Sequence, residues 1–385
     1  MVSLSGVIRE FRDITLFEID GVKVFYREYF ADSKQMHNFA TQEPAKPLNN
    51  AQMCGSFFFI YPMASTILFN KEYKSPQELV SILQHRGLEI DETTKAEHYL
   101  THIGYYRLSA YMYPLLKMPK EQHVYKEGAS FDKVMMLYRF DKKFRLFLFN
   151  EIEKIEVAVR SAIVNIASDI IDNPFWITDS CNFIDQAKFN RMMSLIDNEL
   201  RHTREDFILH FRETCSNPYP PAWILAEILP LGVMTNIYSN LKNKRVKKAI
   251  SQRFGLQVTP FESWLTIITV TRNSCCHHSR VWNRVYSIRA TLPNRITFPW
   301  ITLPTDLLRI YFTLCIIKYF VNIISPANDM LAKLQTLFTR FPEIDKNAMG
   351  FPDNWENEPL WNINLTSRRA IYDFFFVFSI SIYVG

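Results

Sequence analysis

The longest periodic pattern in the chain starts after Ser130 and runs to about Ile171. Phe144, Leu148, Ile152, Ile155, Val159, Ile163 and Ile166 recur at steps of three or four residues. Each helical residue turns the chain by about 100°, so this spacing keeps them on one face of a long α-helix. On the other side Glu153, Glu156 and Arg160 stand together, with Glu156 four residues before Arg160 in the order that favours a helix ion pair. By pattern alone that trio is a solvated face. Asn173-Pro174 breaks the segment.

Upstream, Ser75-Pro76-Gln77-Glu78 has capping-box spacing with Pro at the first helical position, ahead of the apolar stripe Leu79, Ile82 and Leu83; Gly87 stops that helix. A second helix is expected from an Asp91 cap to Gly104, giving an N-terminal helical hairpin, and Tyr105 to Tyr111 continues as helix until Pro114. Downstream, helices are expected at about 185–213, 223–240, 244–254, 261–289 and 304–324. Alternating, strand-like pattern is confined to the start of the chain, where Val22 to Tyr26 can pair; Asn38 to Gly55 reads as polar loop. The fold class is therefore all-α, with no internal repeat.

Composition narrows the picture. The chain has 385 residues, 48% hydrophobic and 22% charged, which excludes collagenous and broadly disordered classes. Its 31 Phe, at helical spacing, belong mainly to a core. The six cysteines, Cys54, Cys181, Cys215, Cys275, Cys276 and Cys315, show no disulfide-framework spacing, and no signal-peptide pattern precedes them, so a reducing cytoplasm is expected. Three apolar stretches call for a membrane test. Ser56 to Phe69 is interrupted by Pro62, Phe374 to Val384 covers 11 residues, and Leu308 to Ile324 carries Arg309 and Lys318. A spanning helix needs about 20 apolar residues, so no membrane crossing is expected and the last stretch reads as a buried helix.

The net charge of +5 is unevenly placed: Met234 to Pro304 holds eleven basic residues against the single acid Glu262, a net +10 that leaves −5 for the remainder. Lys242, Lys244, Lys247 and Lys248 open that segment. Such concentration is the footprint of a polyanion partner, or else a solvated helix face.

Within it lies Arg272-Asn273-Ser274-Cys275-Cys276-His277-His278-Ser279-Arg280-Val281-Trp282-Asn283-Arg284. On an ideal helix Asn273 and His277 are one turn apart and Arg280 and Arg284 extend their face, whereas Arg272 lies about 140° from His277, so its long side chain must curl round or the helix start must be distorted. Several chemistries fit these residue types. Zinc is one, but adjacent Cys and His on a helix cannot close a tetrahedral site without partners elsewhere. A cysteine nucleophile is a second, though no acid is near; a core histidine beside solvated arginines is a third.

The string resembles the signature of the Abi-like (AbiD/AbiF type) abortive-infection proteins, whose usual form has Ala in place of Cys276 and Leu in place of Val281. The resemblance extends along the chain: Arg86-Gly87-Leu88, Gly104-Tyr105-Tyr106-Arg107-Leu108, Tyr138 to Arg145 with Ile155 to Ser161, Pro220-Pro221-Ala222-Trp223, Ser263-Trp264-Leu265 and Gly350-Phe351-Pro352 with Trp355 and Trp361. The chain departs from the family at Leu229-Pro230-Leu231-Gly232. The likeness covers Lys74 to Trp361 and implies an atypical extension over 1–73, an N-terminal helical region over 74–130, a HEPN-like helical domain over 131–361 and a tail over 362–385.

Proteins with this motif fall by resemblance in the HEPN superfamily, in which an Arg-x4-6-His pair cleaves RNA without metal or cofactor. The resemblance thus implies a metal-independent endoribonuclease in anti-phage defence or a toxin–antitoxin setting. Arg272, Asn273 and His277 would be catalytic, with Asn273 orienting the ring. His278, Arg280, Arg284, the four lysines, Glu156 and Arg160 would be auxiliary or bind RNA. Histidine suits removal of the ribose 2′-hydroxyl proton and arginine the charge on the phosphorane, giving a 2′,3′-cyclic phosphate and a 5′-hydroxyl. The expected partners are RNA, a second copy of the chain with both His277 motifs facing one cleft, and an RNA or protein antitoxin. The competing readings are a non-catalytic HEPN-like binding module and a membrane-acting toxin using the 374–384 tail.

Overall fold

The computed structural model describes residues 14–19, 22–27 and 71–362. It divides into two units, Met1–Tyr73 and Lys74–Gly385. In the first, β1 (Ile14–Ile19) and β2 (Val22–Arg27) form an antiparallel hairpin in the register Ile14↔Arg27 to Ile19↔Val22. The dipeptide between them is Asp20-Gly21, a composition that two-residue hairpin connections favour. The pairing expected at Val22 to Tyr26 is present.

The second unit is helical, as its periodicity predicts. Helix α1 (Pro76–His85) starts at the expected capping box: the Ser75 hydroxyl accepts from the Glu78 amide and the Glu78 carboxylate from the Ser75 amide. It forms a hairpin with α2 (Thr93–Ile103), whose N-cap is Glu92 rather than Asp91. Gly104, at φ 87°, then turns the chain into α3 (Tyr105–Met112), a conformation open to glycine without steric cost.

Helix α4 (Phe131–Ile171) is the central rod, 41 residues and about 60 Å long. Phe140, Phe144, Leu148, Ile152, Ile155, Val159 and Ile163 are all fully buried, each contributing about 1.5–3 kcal/mol of transfer free energy. Around it pack α3 and, further along the chain, α7 (Ala222–Leu225), α8 (Leu231–Asn240), α9 (Lys244–Arg253), α10 (Val258–Cys276), α11 (Ile310–Ile324) and α12 (Met330–Arg340). Helices α5 (Gln186–His202) and α6 (Asp206–Thr214) complete the unit.

Four sequence expectations need correction. The helix expected over 185–213 is two, because Thr203 is extended and Arg212 caps the Leu200 carbonyl instead. That over 223–240 breaks at Leu229-Pro230, where proline restarts the chain as the N-cap of α8. That over 261–289 stops at Cys276, and residues 277–309 run as irregular chain pinned to the core by Trp264, whose indole donates to the Thr291 carbonyl at 3.1 Å and stacks on Trp300. That over 304–324 begins only at Ile310. Helix α12, with Met330, Leu334 and Phe338 buried at i, i+4 spacing, is an element the pattern reading does not include.

All of α11 except Ile324 is buried, including Lys318, which donates to Asn328 Oδ1 at 2.8 Å, so it is the core helix its pattern suggests. No helix among the described residues is long and apolar enough to cross a membrane. The apolar stretches at 56–69 and 374–384 lie outside the described residues.

Candidate functional site

Helix α10 carries Arg272 and Asn273 in its last turns and ends immediately before the histidines. His277 is the C-cap at φ −82°, ψ 8°, its amide bonded to the Asn273 carbonyl at 2.9 Å; His278 follows in the left-handed region at φ 56°, and the Ser279 amide returns to the Ser274 carbonyl at 2.9 Å. This is a Schellman-like stop with histidine where glycine is usual. The helix departs from ideal geometry at its C-terminal end, at His277 and His278, rather than at its start. Both histidines and Asn273 are exposed. Among the described residues the Asn273 amide makes no hydrogen bond to the His277 ring, so the orienting role expected for it is not made here.

Arg272 reaches back toward α4. Its Nε lies 3.5 Å from Glu156 Oε2, while Arg160 Nη2 donates to Glu156 Oε1 at 3.2 Å and to the Leu229 carbonyl at 3.1 Å. Glu227 adds a second acid 3.7 Å from Arg160. The i, i+4 pair is as expected, but its surroundings are not: Glu156 and Arg160 are only 14% and 15% exposed, so this is a sheltered cluster rather than a solvated face. Glu153 alone of the trio is exposed.

Arg280 and Arg284 do not extend a helical face, because there is no helix beneath them. Arg280 donates to the Ala110 carbonyl at 2.9 Å, and burial lowers its pKa. Arg284 donates to the Ser274 hydroxyl at 3.3 Å and lies over the Tyr286 ring. Both tie the irregular segment to its neighbours.

A third group, without a role in the sequence reading, holds that segment. The fully buried Asp141 accepts from the Trp282 amide at 2.7 Å, the Val281 amide at 3.2 Å, the Tyr111 hydroxyl at 2.5 Å and Arg145. Burial holds its carboxyl above the usual carboxylate range, against the opposing pull of Arg145, Tyr111 and the two amides. Three of the four partners, Arg145 and the two amides, can only donate, and the Tyr111 hydroxyl completes the set. Arg145 also donates to the Ser279 carbonyl at 3.4 Å, and Arg107 on α3 to the His278 carbonyl at 2.6 Å. The signal in the sequence is a charged i, i+4 pair, Asp141 and Arg145, on the apolar side of α4.

Of the four lysines, Lys242, Lys244 and Lys248 are exposed around α9, whereas Lys247 is 13% exposed, 2.5 Å from Glu262 and bonded to the Ser239 carbonyl. Burial pushes the Cys275 thiol up to about 12, which removes it as a nucleophile at neutral pH. Among the described residues no three His, Cys, Asp or Glu side chains are grouped so as to hold a metal ion.

Residues 98–283, spanning α3, α4 and the motif from Arg272 to Asn283, match the family model described as Abi-like protein. This span belongs to the Abi-like family. Membership points to abortive infection, an anti-phage defence. Neither a curated protein nor a solved structure matches the chain.

Proposed function

We propose that the Abi-like chain is a metal-independent endoribonuclease of HEPN type, with Arg272 and His277 as its catalytic pair. The observation that carries this reading is the end of α10, where an exposed imidazole follows, within five residues, an arginine held by a sheltered carboxylate. His277 takes the 2′-hydroxyl proton, the 2′-oxygen attacks phosphorus, and the bond to the 5′-oxygen breaks; that oxygen leaves with a proton as a 5′-hydroxyl. Arg272, with Glu156 on its Nε side, keeps its other donors for the phosphorane oxygens. Lys242, Lys244 and Lys248 collect the RNA backbone.

The active form is taken to be a homodimer. Leu146, Phe149 and Val157 are large apolar side chains exposed on α4, with the exposed Glu153 among them, and a two-fold partner would cover them. Sedimentation at working concentration checks it: a monomer that cleaves at full rate removes this part of the reading.

The activity is tested with the full chain in excess chelator on a labelled RNA. Expected are products ending in a 2′,3′-cyclic phosphate, no cut where the scissile nucleotide is 2′-deoxy, and loss of cleavage with growth arrest in folded His277→Ala and Arg272→Ala. Cleavage unchanged in His277→Ala, or present only with divalent metal, overturns it. RNA bound but never cut favours a non-catalytic binding module.

A further inference from the structure

Beyond the capping bonds of His278 and Ser279 and the Arg284 bond to Ser274, the residues after the motif helix are held from elsewhere. Between His278 and Trp282 the backbone offers two carbonyls and two amides to side chains from elsewhere: His278 to Arg107, Ser279 to Arg145, and Val281 and Trp282 to Asp141. Trp282 is buried and stacks on Tyr111, whose hydroxyl meets the same Asp141 carboxylate. A turn with a non-glycine residue at φ 56° is strained by about 1 kcal/mol or more, and it persists only where its surroundings over-determine it. Here they do so through a fully buried carboxylate more than a hundred residues away in the chain.

We propose that Asp141 is the positioning residue of this centre: by gripping the Val281 and Trp282 amides it fixes the turn that sets His277 against Arg272, with Arg107 as a second hold on the same turn. The proposal rests on the ribonuclease reading for its catalytic part and on hydrogen-bond geometry alone for the grip. Asp141 touches no substrate. It acts through the backbone, so its loss lowers turnover and leaves RNA affinity in place. A displacement of His277 by about 1 Å is enough to lower turnover by about 100-fold.

The test uses full-length Asp141→Asn, which keeps the shape but turns one acceptor into a donor, and Arg107→Met, which removes one hydrogen bond made by a half-exposed side chain and guards against an Asp141 variant that does not fold. Hydrogen exchange is read by peptide, with cleavage kinetics alongside. Expected is faster exchange confined to 277–284, with the centre of α4 and α11 as protected as in the parent, a fall in kcat of about 10- to 100-fold and KM within about twofold. Unchanged exchange in 277–284 in both variants, acceleration spread through α4, or a rise in KM at constant kcat would overturn it. Should the parent cut no RNA, the ribonuclease reading fails, and the exchange measurement still decides whether Asp141 and Arg107 hold the turn.

Discussion

Arg272 and Arg160 share one carboxylate: Glu156 has one oxygen 3.5 Å from Arg272 Nε and the other 3.2 Å from Arg160 Nη2. Two guanidinium groups facing one acid repel each other when that acid is neutralised. Glu156→Gln is therefore expected to release Arg272 before it disturbs the core. Cleavage should fall by about tenfold or more and the folding free energy by about 1–3 kcal/mol, as for loss of a charge-assisted hydrogen bond. RNA cleavage and a denaturant titration on the same preparation check this; a stable protein with undiminished cleavage would show that Arg272 needs no such hold.

The exposed and sheltered lysines separate two roles that the sequence gives them in common. Replacing Lys242, Lys244 or Lys248 by Ala should flatten the slope of log affinity for single-stranded RNA against log salt by about 0.7 for each phosphate no longer neutralised. Lys247→Ala should leave the slope alone and lower the melting temperature, since it strips the partner from Glu262. Binding isotherms at several salt concentrations distinguish the two. A Lys247 variant that changes the slope as much as the others would place its charge on the RNA.

Thiol reactivity provides a third check. With its thiol pushed up to about 12, Cys275 holds only about one part in ten thousand as thiolate at pH 8, and Cys315 is buried as well. Cys181 and Cys215 are exposed. Alkylation of the native protein at pH 8, read by mass spectrometry, should mark the exposed pair and spare Cys275 and Cys315 until denaturant is added. Cys275→Ser should cleave RNA as the parent does; rapid labelling of Cys275 would restore the cysteine-nucleophile reading.

Gly255 connects the basic helix to the segment beyond the motif. It sits at φ 66°, and a Cβ there would lie 2.7 Å from the Phe298 ring. Gly255→Ala should cost about 1–3 kcal/mol, combining a left-handed backbone with a steric clash, and thermal denaturation measures it. An unchanged melting temperature would mean that the 277–309 segment yields at little cost.

Legibility follows the range of the physics. The Ser75 capping box, the helical hairpin and the buried face of α4 depend on residues a few positions apart, and the pattern shows them directly. The end of α10 does not announce itself, because the left-handed residue is His278 rather than glycine and proline appears only at Pro293. By pattern Arg280 and Arg284 therefore read as helix-borne cations, when they are struts for irregular chain. Glu156 is visible as a helix partner of Arg160, yet its approach to Arg272 bridges separate helices, and the Asp141 bonds to Val281 and Trp282 are tertiary too. Periodicity carries no information about such pairs.

One consequence of α4 lies in its counting. Asp141 and Glu156 are fifteen residues apart on an uninterrupted helix with neither glycine nor proline between them. One anchors the chain just after His277 and the other faces the arginine just before it, so α4 works as a ruler about 22 Å long. Inserting a single residue between them would swing Glu156 by about 100° and advance it by about 1.5 Å, taking it away from Arg272 while Asp141 kept its grip. Substitutions at exposed positions such as Lys142, Leu146 or Glu153 leave that ruler intact, whereas a change in the number of residues does not. The number of residues in this stretch is thus something the motif depends on, alongside the identities of Asp141, Arg145 and Glu156.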